Sequence, residues 1–252
     1  MNTFNYDLKV VDTKDLNHTA AEIIVHDIRK TLKVKDFFTL VLSGGSTPRN
    51  TFALLASDNS FRTRIPWDKI HFFWGDERHV PPDHEESNYR MANEVMLSRV
   101  PVPEKNIHRI KSEIPDADNA AAQYEKEILE FFKLKRGQIP RFDCVLLGMG
   151  TDGHTASLFP GSEALHEESR LVVATWEEPF QTHRITLTLP VLNNADFIMF
   201  IVSGNEKAER LKEVIEGKKQ SARLPAQLIE PNHGRLLWLL DKGAASQLNL
   251  YK

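Results

Sequence analysis

Phe142-Asp143-Cys144-Val145-Leu146-Leu147-Gly148-Met149-Gly150-Thr151-Asp152-Gly153-His154 begins as a strand and ends as a turn. Its short apolar stretch, with one β-branched residue, reads as a buried β-strand. The three glycines that follow let the backbone adopt positive φ and approach a ligand closely, so the turn can present polar groups into a crevice. Asp152 and His154, an acid and a base two residues apart on that turn, point to proton transfer beside a bound substrate.

Gly148, Gly150 and Gly153 also spell G-x-G-x-x-G, the dinucleotide fingerprint, with a downstream acid at Glu177. That fingerprint requires a long helix directly after the glycines, whose N-terminus holds the pyrophosphate. Pro160-Gly161 cuts any such helix short, and Asp152 would place a negative charge inside the anion cradle. The strand at 171–176 follows a ragged loop instead of a helix, contrary to a compact βαβ unit. A dinucleotide site is therefore rejected.

Outward from this run, strand-like and helix-like patterns alternate along the chain. Ala21, Ile24, Val25, Ile28 and Leu32 have the spacing of an amphipathic helix. Further strands are expected at 37–42, 70–74, 142–147, 171–175, 185–189, 197–202 and 236–240. Helices are expected through Leu55, over 88–97, 119–134 and 206–215, and at the C-terminus. Thr47 followed by Pro48 makes a good N-cap and first-turn pair. Apolar strands separated by helices indicate an α/β fold, a parallel sheet covered on both faces. Leu42, Trp74, Leu147 and Val202 are each followed by small or charged residues, so four strands deliver polar groups at their carboxyl ends. Open α/β sheets bind ligands there.

The 252 residues are expected to form one domain, 1–252. A net charge of −3 gives no sign of a nucleic-acid or acidic-membrane surface. Cys144, the one cysteine, lies in the apolar strand and reads as a small core residue of a reducing compartment. Met1 to Lys14 holds no apolar signal core, so a soluble cytoplasmic protein, monomeric or weakly homo-oligomeric, is expected.

Ser43-Gly44-Gly45-Ser46-Thr47, leading into a helix, has the makings of an anion cradle. It lacks the lysine of a P-loop, so a single phosphate group fits better than a triphosphate. Lys207 and Arg184 are candidate phosphate cations. In Gly75-Asp76-Glu77-Arg78-His79, Asp76 and Arg78 share one parity and are the better-placed pair; Glu77 and His79 read as solvated. The spacing of His71, His79 and His84 matches no strong metal-ligand pattern. Asp152 can orient His154 and stabilise its protonated form. Ser43 and Ser157 do not sit in a nucleophile elbow, so water is the expected attacking group.

Five ordered motifs complete the reading. Leu42-Ser43-Gly44-Gly45-Ser46-Thr47-Pro48, Trp74-Gly75-Asp76-Glu77-Arg78 with Ser87-Asn88-Tyr89, and Gly148 through Pro160 are similar to the 6-phosphogluconolactonase family. So are Arg184-Ile185-Thr186-Leu187-Thr188 and Ser203-Gly204-Asn205-Glu206-Lys207-Ala208. The resemblance runs from about Leu40 to Leu240. It implies a Rossmann-like, doubly wound and mainly parallel sheet, shared with glucosamine-6-phosphate deaminases and ribose-5-phosphate isomerases. It also implies hydrolysis of 6-phosphogluconolactone to 6-phosphogluconate in the oxidative pentose phosphate pathway, without metal or organic cofactor. His154 matches the family's proposed base, while Arg78 and Lys207 match residues linked to substrate phosphate.

The expected site therefore comprises His154, Asp152 and Asp76 for catalysis, with Gly44, Gly45, Ser46, Thr47, Arg78, Arg184 and Lys207 for binding. The deaminases carry Asn-Glu-Pro where this sequence has Leu158-Phe159-Pro160, and a phenylalanine cannot transfer the proton needed for ring opening. That weighs against an isomerase or deaminase. A non-catalytic sugar-phosphate sensor is the rival of another class; Asp152 and His154 together favour catalysis.

Overall fold

The computed structural model describes residues 6–178, 181–220 and 222–249. Its strands, in chain order, are β1 (Asp7–Val11), β2 (Phe38–Leu42), β3 (Ile70–Trp74), β4 (Asp76–Arg78) and β5 (Ile107–His108). They continue with β6 (Cys144–Leu147), β7 (Val172–Glu177), β8 (Thr182–Leu187), β9 (Phe197–Val202) and β10 (Arg235–Asp241). The helices are α1 (Leu16–Thr31), α2 (Ser46–Ser57), α3 (Asn59–Arg62), α4 (Asn88–Val95), α5 (Ala117–Phe131), α6 (Leu189–Asn193) and α7 (Ala208–Glu216).

Seven strands form a parallel sheet in the order β1-β10-β9-β6-β2-β3-β5, with helices around it. Every residue of β2, β6 and β9 is buried, which is why these strands read as continuous apolar runs. In α1 the spacing 20, 21, 24, 25, 28 puts Ala20, Ala21, Ile24, Val25 and Ile28 in the core. From β2 the chain winds outward to β3 and β5; from β6 it winds the other way to β9 and β10. The direction of winding reverses between β2 and β6, and a crevice opens at such a switch point at the carboxyl ends of the strands. The segments leaving those two strands are Ser43–Gly45 and the glycine turn.

Some expectations need correction. The strands at 171–175 and 185–189 are not in the parallel sheet. As β7 and β8 they form an antiparallel hairpin, joined by β4 into a separate sheet of order β4-β8-β7. The chain leaves the main sheet at Gly75, whose N–H donates to Leu42 O and whose C=O accepts from Leu187 N. Asp76–Arg78 is thus a short strand and no turn. Helix α2 starts at Ser46 with Gly45 as its N-cap, so Thr47 is not the cap. Residues 242–247 form turns and Asn249 opens a 3-10 turn; the rest of the helix expected at the C-terminus lies outside the described residues. Strands β1 and β5 were not legible, being half-exposed edge strands without the apolar runs of their neighbours. Cys144 is buried in the core, as expected.

Candidate active site

A cavity of about 350 Å³ lies at the switch point. The segment after β2 contributes Ser43, Gly44 and Gly45, and the turn after β6 contributes Gly148, Met149, Gly150 and His154. The small sheet adds Asp76, Arg78 and Arg184, and the loop after β9 adds Lys207. Residues scattered from position 43 to position 207 meet there because three parallel strands end at the crevice and the small sheet closes its side.

The glycine turn is closed by its own backbone. Gly150 N donates to His154 O at 2.9 Å, and Thr155 Oγ1 donates to Gly148 O at 2.8 Å. No helix follows the glycines, in keeping with the rejection of a dinucleotide site. Within the turn, Asp152 Oδ1 accepts from the His154 backbone N at 3.1 Å and stands 2.6 Å from its Nδ1. That contact places the ring proton on Nδ1 and leaves Nε2 as the basic nitrogen. Burial works to raise the Asp152 pKa, but the hydrogen bond and charge of His154 outweigh it and bring the carboxyl down to about 2. Asp152 itself does not line the cavity. The Phe159 ring packs 4.4 Å from the His154 ring, so an apolar wall stands beside the imidazole.

The cations come from three elements. Arg78 on β4 and Arg184 on β8 are directly opposed in the antiparallel register, so both side chains leave the same face. Arg184 is only 6 % exposed, in contrast to a solvated edge charge. Burial, then the Arg78 charge, lower its pKa. Two like charges held together beside a cavity are the electrostatic signature of an anion site. Lys207 sits at the N-cap of α7 on a loop fastened by Asp241, whose carboxylate accepts from Ser203 Oγ at 2.7 Å and Gly204 N at 3.2 Å. Ser46 and Thr47 do not line the cavity: they are the first residues of α2 and Ser46 is exposed. What they can offer an anion is confined to the first-turn N–H groups and the positive end of the helix.

Asp76 is buried and accepts from Ser157 Oγ at 2.7 Å. Glu77, read from sequence as solvated, is 1 % exposed. Its carboxylate accepts from Arg78 N, Asn88 N, Tyr89 N and Ser87 Oγ, tying β4 to the start of α4. Burial pushes its pKa up to about 7 against the opposing pull of those backbone N–H groups. The charged turn concealed this role because its partners lie ten to twelve residues downstream. Asn88, part of the Ser87-Asn88-Tyr89 motif, is assigned no role by the sequence reading. It donates through Nδ2 to Asp76 O at 2.9 Å and lines the cavity against Gly44. The Ser87 N-cap was its available signal: a capping serine at the start of a helix aimed at the site. Among the described residues, no group of three or more His, Cys, Asp or Glu is arranged to hold a metal ion.

Known proteins resemble this chain over most of its length. The family model for glucosamine-6-phosphate isomerases/6-phosphogluconolactonase matches residues 11–238. A 6-phosphogluconolactonase of Nostoc is 41% identical over 233 residues, 91% of this chain and 92% of that protein. One from Synechocystis is 38% identical over 239 residues, 95% of this chain and 96% of the relative. The crystal structure of 6-phosphogluconolactonase from Thermotoga maritima superposes with a TM-score of 0.80 at 32% identity, covering 94% of this chain and 100% of that one. The chain belongs to the glucosamine-6-phosphate isomerase/6-phosphogluconolactonase family.

Proposed function

We propose that the protein is a 6-phosphogluconolactonase, a carboxylic ester hydrolase that converts 6-phosphogluconolactone to 6-phosphogluconate in the oxidative pentose phosphate pathway. The observation that carries this reading is the His154 imidazole, held through Nδ1 by Asp152, in the same cavity as Arg78, Arg184 and Lys207.

The substrate phosphate docks against Arg78, Arg184 and Lys207, with Gly44, Gly45 and the first-turn N–H groups of Ser46 and Thr47 completing the anion cradle. His154 Nε2 takes a proton from water as its oxygen adds to the lactone carbonyl. The tetrahedral oxyanion then collapses, the bond between the carbonyl carbon and the ring oxygen breaks, and the imidazolium returns its proton to that oxygen. Such general-base help is worth about 10²- to 10⁴-fold. Positioning by the phosphate anchor supplies much of the rest. Asp152 fixes the tautomer, while Asp76 orients Ser157 and Asn88. Phe159 offers no carboxylate for ring opening, in line with a lactonase rather than a deaminase.

The test is a pH-stat assay on freshly generated 6-phosphogluconolactone, corrected for spontaneous opening. Hydrolysis above background in the wild type, and its loss in His154→Ala with phosphate binding retained, are the expected results. Normal turnover by His154→Ala would remove that residue from the mechanism.

A further inference from the structure

One buried oxygen that lines the cavity has no hydrogen-bond partner among the described residues. Ser43 is 5 % exposed, and its Oγ is buried without a partner. Asn88 is 1 % exposed and turns its Nδ2 toward Asp76, 2.9 Å from O and 3.4 Å from Oδ1. That orientation leaves Asn88 Oδ1 as an open acceptor. It is pressed against the next residue of the cradle: a Cβ on Gly44 would lie 2.0 Å from Oδ1. Both side chains line the cavity.

A buried polar atom without a partner costs about 1–3 kcal/mol, and folded proteins leave few of them. Here the missing partner can come from a ligand, and the chemistry of the atoms says which part of it. A phosphate dianion offers acceptors only, so it cannot satisfy an amide oxygen. The charged side chains that suit it are Arg78, Arg184 and Lys207. A carbon-bound hydroxyl can donate to Asn88 Oδ1 and accept from the Ser43 hydroxyl in one geometry. We propose that Ser43 Oγ and Asn88 Oδ1 together bind a hydroxyl of the substrate's sugar ring and select for phosphosugar lactones that carry it. This rests on the lactonase reading above. It assigns the Ser43 and Asn88 side chains to the sugar and leaves the phosphate to Arg78, Arg184, Lys207 and the backbone N–H groups of the cradle.

The test compares wild type, Ser43→Ala and Asn88→Ala on 6-phosphogluconolactone and on its 2-deoxy, 3-deoxy and 4-deoxy analogues. Inhibition by inorganic phosphate and thermal unfolding are measured in parallel. Ser43→Ala removes one atom from a small side chain, so it keeps the question answerable if Asn88→Ala loosens the packing on Gly44. Each variant is expected to lose roughly fivefold to tenfold in kcat/KM on the full lactone, the value of one hydrogen bond. On one deoxy analogue the wild type should show a loss of that size, and the variants no further loss. Phosphate inhibition should be unchanged. An equal loss on all the lactones, or weaker phosphate inhibition in Ser43→Ala, would overturn the assignment. A wild type with no hydrolysis above background would overturn the lactonase reading and this one together.

Discussion

Gly150 lies so close beneath His154 that a Cβ on residue 150 would stand 2.2 Å from the ring's Nδ1 and 2.5 Å from Asp152 Oδ1. The clash is with side-chain atoms, which can move without breaking the turn. Gly150→Ala should therefore fold, displace the imidazole or its carboxylate partner, and lower kcat/KM by about 10²-fold or more. Inhibition by inorganic phosphate should persist. A fully active Gly150→Ala would show that the Asp152–His154 contact is dispensable.

Asp152, with its pKa near 2, is an anion throughout any practical assay range. Asp152→Asn removes that charge and weakens the hold on Nδ1, so kcat/KM should fall by roughly tenfold or more. Steady-state kinetics on both proteins decide; an unchanged kcat/KM would show that the carboxylate is dispensable.

The opposed guanidiniums on β4 and β8 are like charges that a bound anion would relieve. Inorganic phosphate should raise the melting temperature of the wild type, with a gain of about 1.4 kcal/mol at ten times its dissociation constant. Arg184→Met should lose that protection. Scanning calorimetry with and without phosphate gives the answer, and full protection in the variant would place the phosphate elsewhere.

Tyr124 of α5 reaches the end of β3, where its hydroxyl accepts from Trp74 N at 2.9 Å and donates to Trp74 O at 3.1 Å. All of these groups are buried. Tyr124→Phe should cost about 1–3 kcal/mol, the penalty of leaving them unpaired. Urea unfolding measures it. The loss is felt one residue before the chain turns out toward Asp76 and Arg78.

Glu77 supplies a pH dependence of stability. Its pKa is about 7 in the fold, against 4.5 for a free glutamate. Below 4.5 both states hold the proton and the contribution is fully present. Between 4.5 and 7 the unfolded chain has already released a proton that the native state retains, so stability falls as pH rises. Chemical denaturation across this window should show the wild type losing ground relative to Glu77→Gln; parallel curves would count against it.

How far the sequence carried differs between site and scaffold. The buried strands β2, β6 and β9 announce themselves because both faces are covered, and the polar residues behind them mark the crevice. Residues 171–189 misled because apolar strands in an α/β protein favour a parallel assignment. Their pairing with β4 depends on Gly75 leaving the main sheet, which no local pattern encodes. Glu77 and Asn88 were obscured for a related reason. Their partners are reached only when β4 and α4 come together, and a charged turn on paper gives no measure of burial. Asp152 and His154 were legible because their contact spans two residues of a single turn.

Strand β1 meets its neighbour β10 only through pairs such as Asp7 with Leu237. During synthesis β1 must wait, its edge unmatched, until β10 has been made. A closing pair so far apart along the chain slows folding and lengthens the time for which a sheet edge stands open.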